Sequence, residues 1–79
     1  PNPGCWFNLK GSRIKIIKAV EVEAKAEPGI VLDNKFTISC SENAIQILEL
    51  KKEGKKLIKA SEFLKGNNLK IGLKLDNHV

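Results

Sequence analysis

The feature that most constrains the fold of this chain is an alternation of apolar and polar residues with a period of two. Ile14 and Ile16 alternate with Arg13 and Lys15, which puts the isoleucines on one face of an extended strand and the cations on the other. The same alternation recurs in residues 36–40, 44–50 and 69–75, and residues 6–9 form a further short apolar segment. These segments predict five or six β-strands.

Two interruptions of the alternation predict β-bulges. In the second strand, Val20, Val22 and Ala24 continue the inward parity of the two isoleucines, but Lys18 falls on the same parity. In residues 44–50 the apolar set changes from odd to even positions. An extra residue in a strand produces such a change of face, and bulges are common where a long strand bends in a barrel.

Turn-forming residues separate these segments. Lys10-Gly11-Ser12 predicts a hairpin, and Glu27-Pro28-Gly29 suits a type II turn, with proline fixing φ and glycine taking a positive φ. Only residues 60–65 have helical character, with Phe63 and Leu64 facing the core and Gly66 predicted as a C-terminal cap.

A chain of 79 residues forms one domain. Short strands, regular turns and one short helix predict an all-β fold, a small five- to six-stranded Greek-key barrel like the oligonucleotide-binding fold. A split sandwich is the alternative. Residues 1–4, Pro-Asn-Pro-Gly, are expected to be the end of a linker, and residues 5–79 the barrel domain. The longest apolar run is three residues, so no membrane span is predicted.

The net charge of +5 lies entirely in the second part of the chain. Residues 1–50 carry equal numbers of basic and acidic side chains, whereas residues 51–79 carry eight lysines and three acids. A second basic run, residues 10–18, contains no acid. This distribution favours a polyanionic partner over a small acidic substrate, although a solvated lysine surface explains it equally well.

The sequence contains no set of residues with a spacing typical of a catalytic or metal-binding site. The one histidine, His78, is next to the last residue, and the two cysteines, Cys5 and Cys40, have no zinc-ligand spacing. We therefore predict no catalytic residue, no metal site and no cofactor in this chain. Both cysteines fall in strand-like segments and are expected to be buried, reduced thiols of a cytoplasmic protein.

The stretch 36–56 has a strand ending in Cys40, a polar turn, an alternating strand and Gly54-Lys55-Lys56, and residues 60–66 carry Ala-x-x-Phe-Leu-x-Gly. In this order and spacing, these segments resemble the C-terminal domain of methionyl-tRNA formyltransferases. Shorter matches are Pro3-Gly4-Cys5-Trp6, Ile14-Lys15-Ile16 and Glu27-Pro28-Gly29-Ile30. The chain departs from the family at Lys59, where a serine usually caps the helix.

The resemblance implies a role in a larger enzyme that formylates methionine on initiator tRNA with 10-formyltetrahydrofolate. The folate site and the Asn, His and Asp catalytic group of the family belong to an N-terminal α/β domain, expected in cis. The resemblance implies that the barrel holds the tRNA by its charged surface, as part of a cytoplasmic monomer.

We expect phosphate contacts to be made by the basic residues of the two runs. Lysine is a flexible point charge, and the deep major groove of an RNA helix resists side-chain readout. The predicted RNA-binding residues are Lys10, Arg13, Lys15, Lys18, Lys51, Lys52, Lys55, Lys56 and Lys59.

The aromatic residues divide between core and surface. Phe36 and Phe63 are predicted in the core, and one of the adjacent pair Trp6 and Phe7 must face outward. Trp6 is therefore a candidate for contact with the N-terminal domain or for stacking on RNA.

Two other functional classes remain open at this point. A barrel of this type is also attached to other folate-dependent formyltransferases and hydrolases, in which the basic residues need not touch RNA. The chain is alternatively a protein-interaction module that uses the Trp6 face.

Overall fold

A computed structural model describes residues 6–78 of the chain, with the side chains of residues 6–75. The predicted linker, residues 1–4, and Cys5 lie outside the described residues. The elements in chain order are strands β1 (Trp6–Leu9), β2 (Ser12–Val22), β3 (Thr37–Ser39), β4 (Ala44–Lys52) and β5 (Leu57–Lys59), helix α1 (Ala60–Gly66) and strand β6 (Asp76–His78).

All described strands belong to one antiparallel sheet that curls on itself. Its order is β3-β4-β2-β1-β6, and β5 pairs with the same edge of β4 as β3 does, further along the strand. Backbone hydrogen bonds then join residues 29–31 to Ser39 on one side and to Leu73 and Leu75 on the other. Because β6 follows directly after Leu75, these bonds link the two ends of the sheet. The predicted small all-β barrel is confirmed.

The bulges predicted near Lys18 and Leu48 face each other in the β2–β4 ladder. Ile16 pairs with Leu50, Lys18 with Glu49 and Ala19 with Ile47, which leaves Ile17 and Leu48 as the extra residues. After the bulge the faces of β2 exchange. Ala19 is therefore buried and Val20 is 44% exposed, so the predicted inward position of Val20 is wrong.

The strand predicted to continue to Ala24 ends at Val22. Its partner strand begins at Ala44, directly opposite Val22, so there is no further β4 backbone with which residues 23 and 24 can pair.

Three phenylalanines in mutual ring contact form the centre of the core. The ring of Phe36 lies 5.5 Å from that of Phe7, edge to face, and 5.7 Å from that of Phe63, stacked. Ile38, Ile47 and other apolar residues of the sheet enclose them. Phe36 adopts a positive φ of 67°, which is uncommon for an aromatic residue and is offset here by complete burial. The core positions predicted for Phe36 and Phe63 are confirmed.

Helix α1 has neither a side-chain cap at its N-terminus nor a left-handed glycine at its C-terminus. Lys59, the N-cap, makes no side-chain capping hydrogen bond. Gly66 is the last helical residue and does not take a positive φ, so its predicted capping role is wrong. The Asn67 side-chain amide instead donates to the Phe63 carbonyl over 3.0 Å, satisfying one of the free helix carbonyls. In the part of the chain that the structure describes, no helix is long and apolar enough to cross a membrane.

Residues 69–75 do not form the predicted strand. Leu69 and Leu75 are buried, but Ile71 is 67% exposed and Leu73 is also exposed. Gly72 takes a φ of 94° in a turn between them, and a single bridge joins Lys74 to Ile30. The turn at Gly72 prevents continuous pairing, so the strand forms later, as β6.

Candidate nucleic-acid interface

The two basic runs of the sequence meet because β2 and β4 are neighbours. Lys15 of β2 lies directly opposite Lys51 of β4, and paired residues of an antiparallel ladder point to the same face. Both side chains are exposed. On its other side, Lys15 pairs with Trp6 of β1. Lys51 likewise pairs on its other side with Leu57 of β5.

A second group of cations lies where the β1–β2 and β4–β5 turns come together. Lys10 and Gly11 make the first turn, with positive φ values of 50° and 80°, and the hairpin that was predicted is confirmed. The Glu53 amide donates to the Arg13 carbonyl over 3.0 Å, which fastens the second turn beside the first. Lys52, Lys55 and Lys56 belong to this second turn and its flanks.

At the other end of the same face, Lys18 and Lys59 flank one carboxylate. Glu49 of β4 pairs with Lys18 on one side and with Lys59 on the other. Lys18 is exposed because the bulge turns it to solvent. The face therefore remains positive here, although Glu49 is interleaved with the lysines.

All nine predicted RNA-binding residues are exposed. Among the residues whose side chains are described, the ion pairs are Lys65–Glu62 at 3.1 Å and Lys74–Glu27 at 3.0 Å. Neither pair uses any of the nine cations. Glu49, which lies opposite both Lys18 and Lys59, offsets part of the charge at that end. We call this set the basic strip; it comprises Lys10, Arg13, Lys15, Lys18, Lys51, Lys52, Lys55, Lys56 and Lys59.

Trp6 is the outward-facing member of its pair, since Phe7 is completely buried. The guanidinium carbon of Arg13 lies 4.1 Å from the centre of the Trp6 ring. A cation at this distance over a tryptophan face is attracted by the ring quadrupole. The stacking fixes the direction of Arg13 within the basic strip.

An open groove of about 640 Å³ adjoins the strip at its Lys18 and Lys59 end. It lies between β4 and α1 and is lined by residues 46–49, residues 59–61, Leu64, Lys65 and the loop residues 34–35, with Lys18 at its edge. Sequence reasoning missed this feature. The change of apolar parity at Leu48 marked its place, but the position of α1 beside β4 depends on the tertiary fold.

The loop at one side of this groove is held by Asp33. Its carboxylate accepts hydrogen bonds from Thr37 Oγ1 at 2.7 Å, from the Lys35 amide at 2.8 Å and from the Thr37 amide at 3.2 Å. Burial alone raises the pKa of Asp33, but these bonds and the charge of Lys35 outweigh it and lower the pKa below 3.8. The ionised carboxylate is thus part of the folded loop.

The remaining residues considered for chemistry give no site among those described. No three side chains of the histidine, cysteine, aspartate or glutamate type lie together there in a way that could hold a metal ion. Cys40 is half-buried, and the prediction of two buried thiols extends to Cys5, outside the described residues.

Comparison with known proteins places the chain in a family. The family model for the formyl transferase C-terminal domain matches residues 1–68. Methionyl-tRNA formyltransferase of Bradyrhizobium diazoefficiens is 44% identical over 94% of this chain and 25% of its own length. The corresponding proteins of Paramagnetospirillum magneticum and Nitrobacter winogradskyi are 39% identical (91% of this chain, 24% of theirs) and 40% identical (96% and 26%). The chain spans about a quarter of the length of these relatives. It belongs to the family of formyl transferase C-terminal domains, of the kind that methionyl-tRNA formyltransferases carry.

Proposed function

We propose that this domain holds initiator methionyl-tRNA by its phosphates while a separate N-terminal domain, in cis, transfers the formyl group. The observation that carries the proposal is the basic strip: nine exposed cations from two distant stretches lie on neighbouring strands and turns of one curled sheet, and none of them is in a described ion pair. The relatives are named methionyl-tRNA formyltransferases, which supports this substrate class.

The strip is suited to folded RNA for a chemical reason. Eight of its nine members are lysines, which tolerate many phosphate geometries, and only Arg13 offers a planar, bidentate donor. RNA helices are bound mainly through phosphates, 2′-hydroxyls and shape. The strip therefore contributes affinity and orientation, and little sequence selectivity.

We assign no catalytic role to the chain. The formyl donor of the family, 10-formyltetrahydrofolate, and the catalytic side chains belong in this proposal to the N-terminal domain. The domain acts as part of a cytoplasmic, monomeric enzyme whose rate depends on how well the tRNA is positioned. We further propose that the outward Trp6 contacts the N-terminal domain or its linker.

The test is a titration of tRNA into the 79-residue chain at several salt concentrations. If about four phosphates are neutralised, the logarithm of the association constant falls with the logarithm of salt concentration at a slope of roughly −3 to −4. Trp6, the only tryptophan, serves as the fluorescent probe. The absence of salt-sensitive association would contradict the proposal.

The same titration distinguishes this proposal from the alternative that the domain belongs to another folate-dependent formyltransferase. A domain that serves a small substrate has no reason to prefer tRNA over another polyanion of equal charge density. We expect tRNA to bind more tightly than heparin at matched charge, because folded RNA also offers its shape and its 2′-hydroxyls to a protein that recognises it.

A further inference from the structure

We propose that the groove between β4 and α1 binds one unstacked nucleotide of the RNA whose neighbouring phosphates lie on the basic strip. The proposal rests on the function proposed above and adds a defined site to it. The groove is continuous with the strip, since Lys18 and Lys59 belong to both.

The charge of the groove selects an anionic occupant. Four lysines line it, Lys18, Lys35, Lys59 and Lys65, against the single carboxylate of Glu49. Lys65 is paired with Glu62, but both side chains are mostly exposed, and such a pair is weak and easily exchanged for a phosphate. The two phosphates that flank a nucleotide can therefore contact lysines on both walls of the groove.

The surface between the lysines is of the kind that accepts a base. Leu48, the extra residue of the β4 bulge, and Leu64 of α1 give the groove an aliphatic part. The volume of about 640 Å³ falls within the range of small-ligand sites, roughly 300–1,000 Å³. A base buries its apolar face there without an aromatic platform.

Two side-chain amides also line the groove, Asn34 and Gln46. Each carries a donor and an acceptor side by side, the combination that reads the edge of an adenine or another base when it is splayed from its stack. Asn34 belongs to the loop that Asp33 fixes through three hydrogen bonds, so one wall of the groove is ordered before binding. Cations, aliphatic surface and amides together fit a nucleotide better than an acidic peptide, which needs no base-edge partners.

The experiment compares two RNA hairpins that differ only in an unpaired tail. The 79-residue chain should bind the tailed hairpin at least about five-fold more tightly than the blunt one. Gln46→Ala and Leu48→Gln should each remove most of that preference while leaving the affinity for the blunt hairpin unchanged. Ile71→Gln is the matched control, because Ile71 is an exposed aliphatic residue outside the groove, and it should keep the preference. Thermal unfolding shows whether each variant is folded. If Leu48→Gln does not fold, the result for Gln46→Ala alone tests the nucleotide site.

The outcomes separate the two proposals. If both hairpins bind with the same salt-sensitive affinity, or if the preference survives in both groove variants, the nucleotide site is wrong and the tRNA-holding function stands. If neither hairpin nor tRNA binds, the tRNA-holding function fails and the nucleotide site fails with it.

Discussion

Lys15 and Lys51 lie directly opposite each other on β2 and β4, with both side chains exposed on the same face of the sheet. Like charges at directly opposed positions of an antiparallel pair destabilise the sheet. The fold does not need two lysines here, since an acid at either position would pair with the other. A positive surface maintained against this repulsion is what a polyanion-binding domain requires.

Replacement of Lys51 by glutamate should therefore have opposite effects on stability and on binding. Lys51→Glu creates an opposite-charge pair with Lys15, and we expect the free energy of unfolding to rise by less than about 1 kcal/mol. The same change should weaken tRNA binding and reduce the salt slope by about one or more. Urea unfolding and tRNA titration measure the two effects.

Lys70→Glu is the matched control for this prediction, because Lys70 is an exposed lysine outside the basic strip. It changes the net charge equally. If Lys70→Glu weakens tRNA binding as much as Lys51→Glu does, total charge and not the strip determines affinity.

Local residue patterns were sufficient to predict the parts of the fold that local chemistry determines. The Lys10-Gly11 turn is fixed by its own backbone requirement, and the paired bulges at Ile17 and Leu48 were visible as breaks in parity. The alternation predicted that one of Trp6 and Phe7 faces outward, and the burial of Phe7 in the structure shows that it is Trp6. The two basic runs could be named, but their direct opposition at Lys15 and Lys51 depends on the β2–β4 register.

The failures share a physical cause. The exposure of Val20 depends on which residue of the bulge is extra, and parity alone does not specify it. Residues 69–75 alternate like a strand, yet the chain turns at Gly72, and the described backbone bonds from this segment to the sheet run to Gly29 and Val31. The cap at Asn67 and the groove beside Leu48 both depend on where α1 packs. In each case a tertiary contact overrides the local pattern.

The buried hydroxyl of Ser39 should make a large contribution to stability. Ser39 Oγ donates to the Glu27 carbonyl at 2.5 Å and accepts from the Ile30 amide at 2.9 Å, which fastens the 27–30 turn to β3. Ser39→Ala leaves these backbone groups without that partner, so we expect a loss of about 1–3 kcal/mol in the free energy of unfolding. Ser41→Ala, at an exposed serine in the next turn, should change it by less than about 0.5 kcal/mol. Equal losses of stability in the two variants would contradict the role of Ser39 in holding the 27–30 turn against β3.

Asp33 should make stability dependent on pH in the acid range. Its pKa in the folded protein is lowered below 3.8, so the stabilisation is fully present above the unfolded value and is lost as pH falls through the folded value. The free energy of unfolding of the wild type should therefore exceed that of Asp33→Asn at neutral pH, and the difference should narrow below about pH 4. Urea unfolding across this range measures it.

The hydroxyl of Thr37 supplies the internal check on this pH dependence. Thr37 Oγ1 makes the shortest of the three bonds to Asp33, so Thr37→Val should raise the carboxyl pKa toward 3.8. Carboxyl titration by NMR reports that pKa directly. An unchanged pKa in Thr37→Val would show that the backbone amides and the charge of Lys35 lower it without the hydroxyl.

Lys59 is the position where helix stability and binding compete most directly. It is the N-cap of α1 and has extended φ and ψ of −75° and 148°, yet it makes no capping hydrogen bond. A serine in this conformation accepts from the free amides of the first turn, and Lys59→Ser should raise the free energy of unfolding by about 1 kcal/mol. The same variant removes a cation shared by the basic strip and the groove, so its affinity for tRNA should fall.

Lys59→Ala separates the two effects, because it removes the charge without supplying a cap. We expect the alanine variant to bind tRNA as weakly as the serine variant but to gain no stability. If Lys59→Ser is more stable and binds tRNA as well as the wild type, the lysine at this N-cap is not kept for RNA, and the end of the strip nearest the groove loses its role.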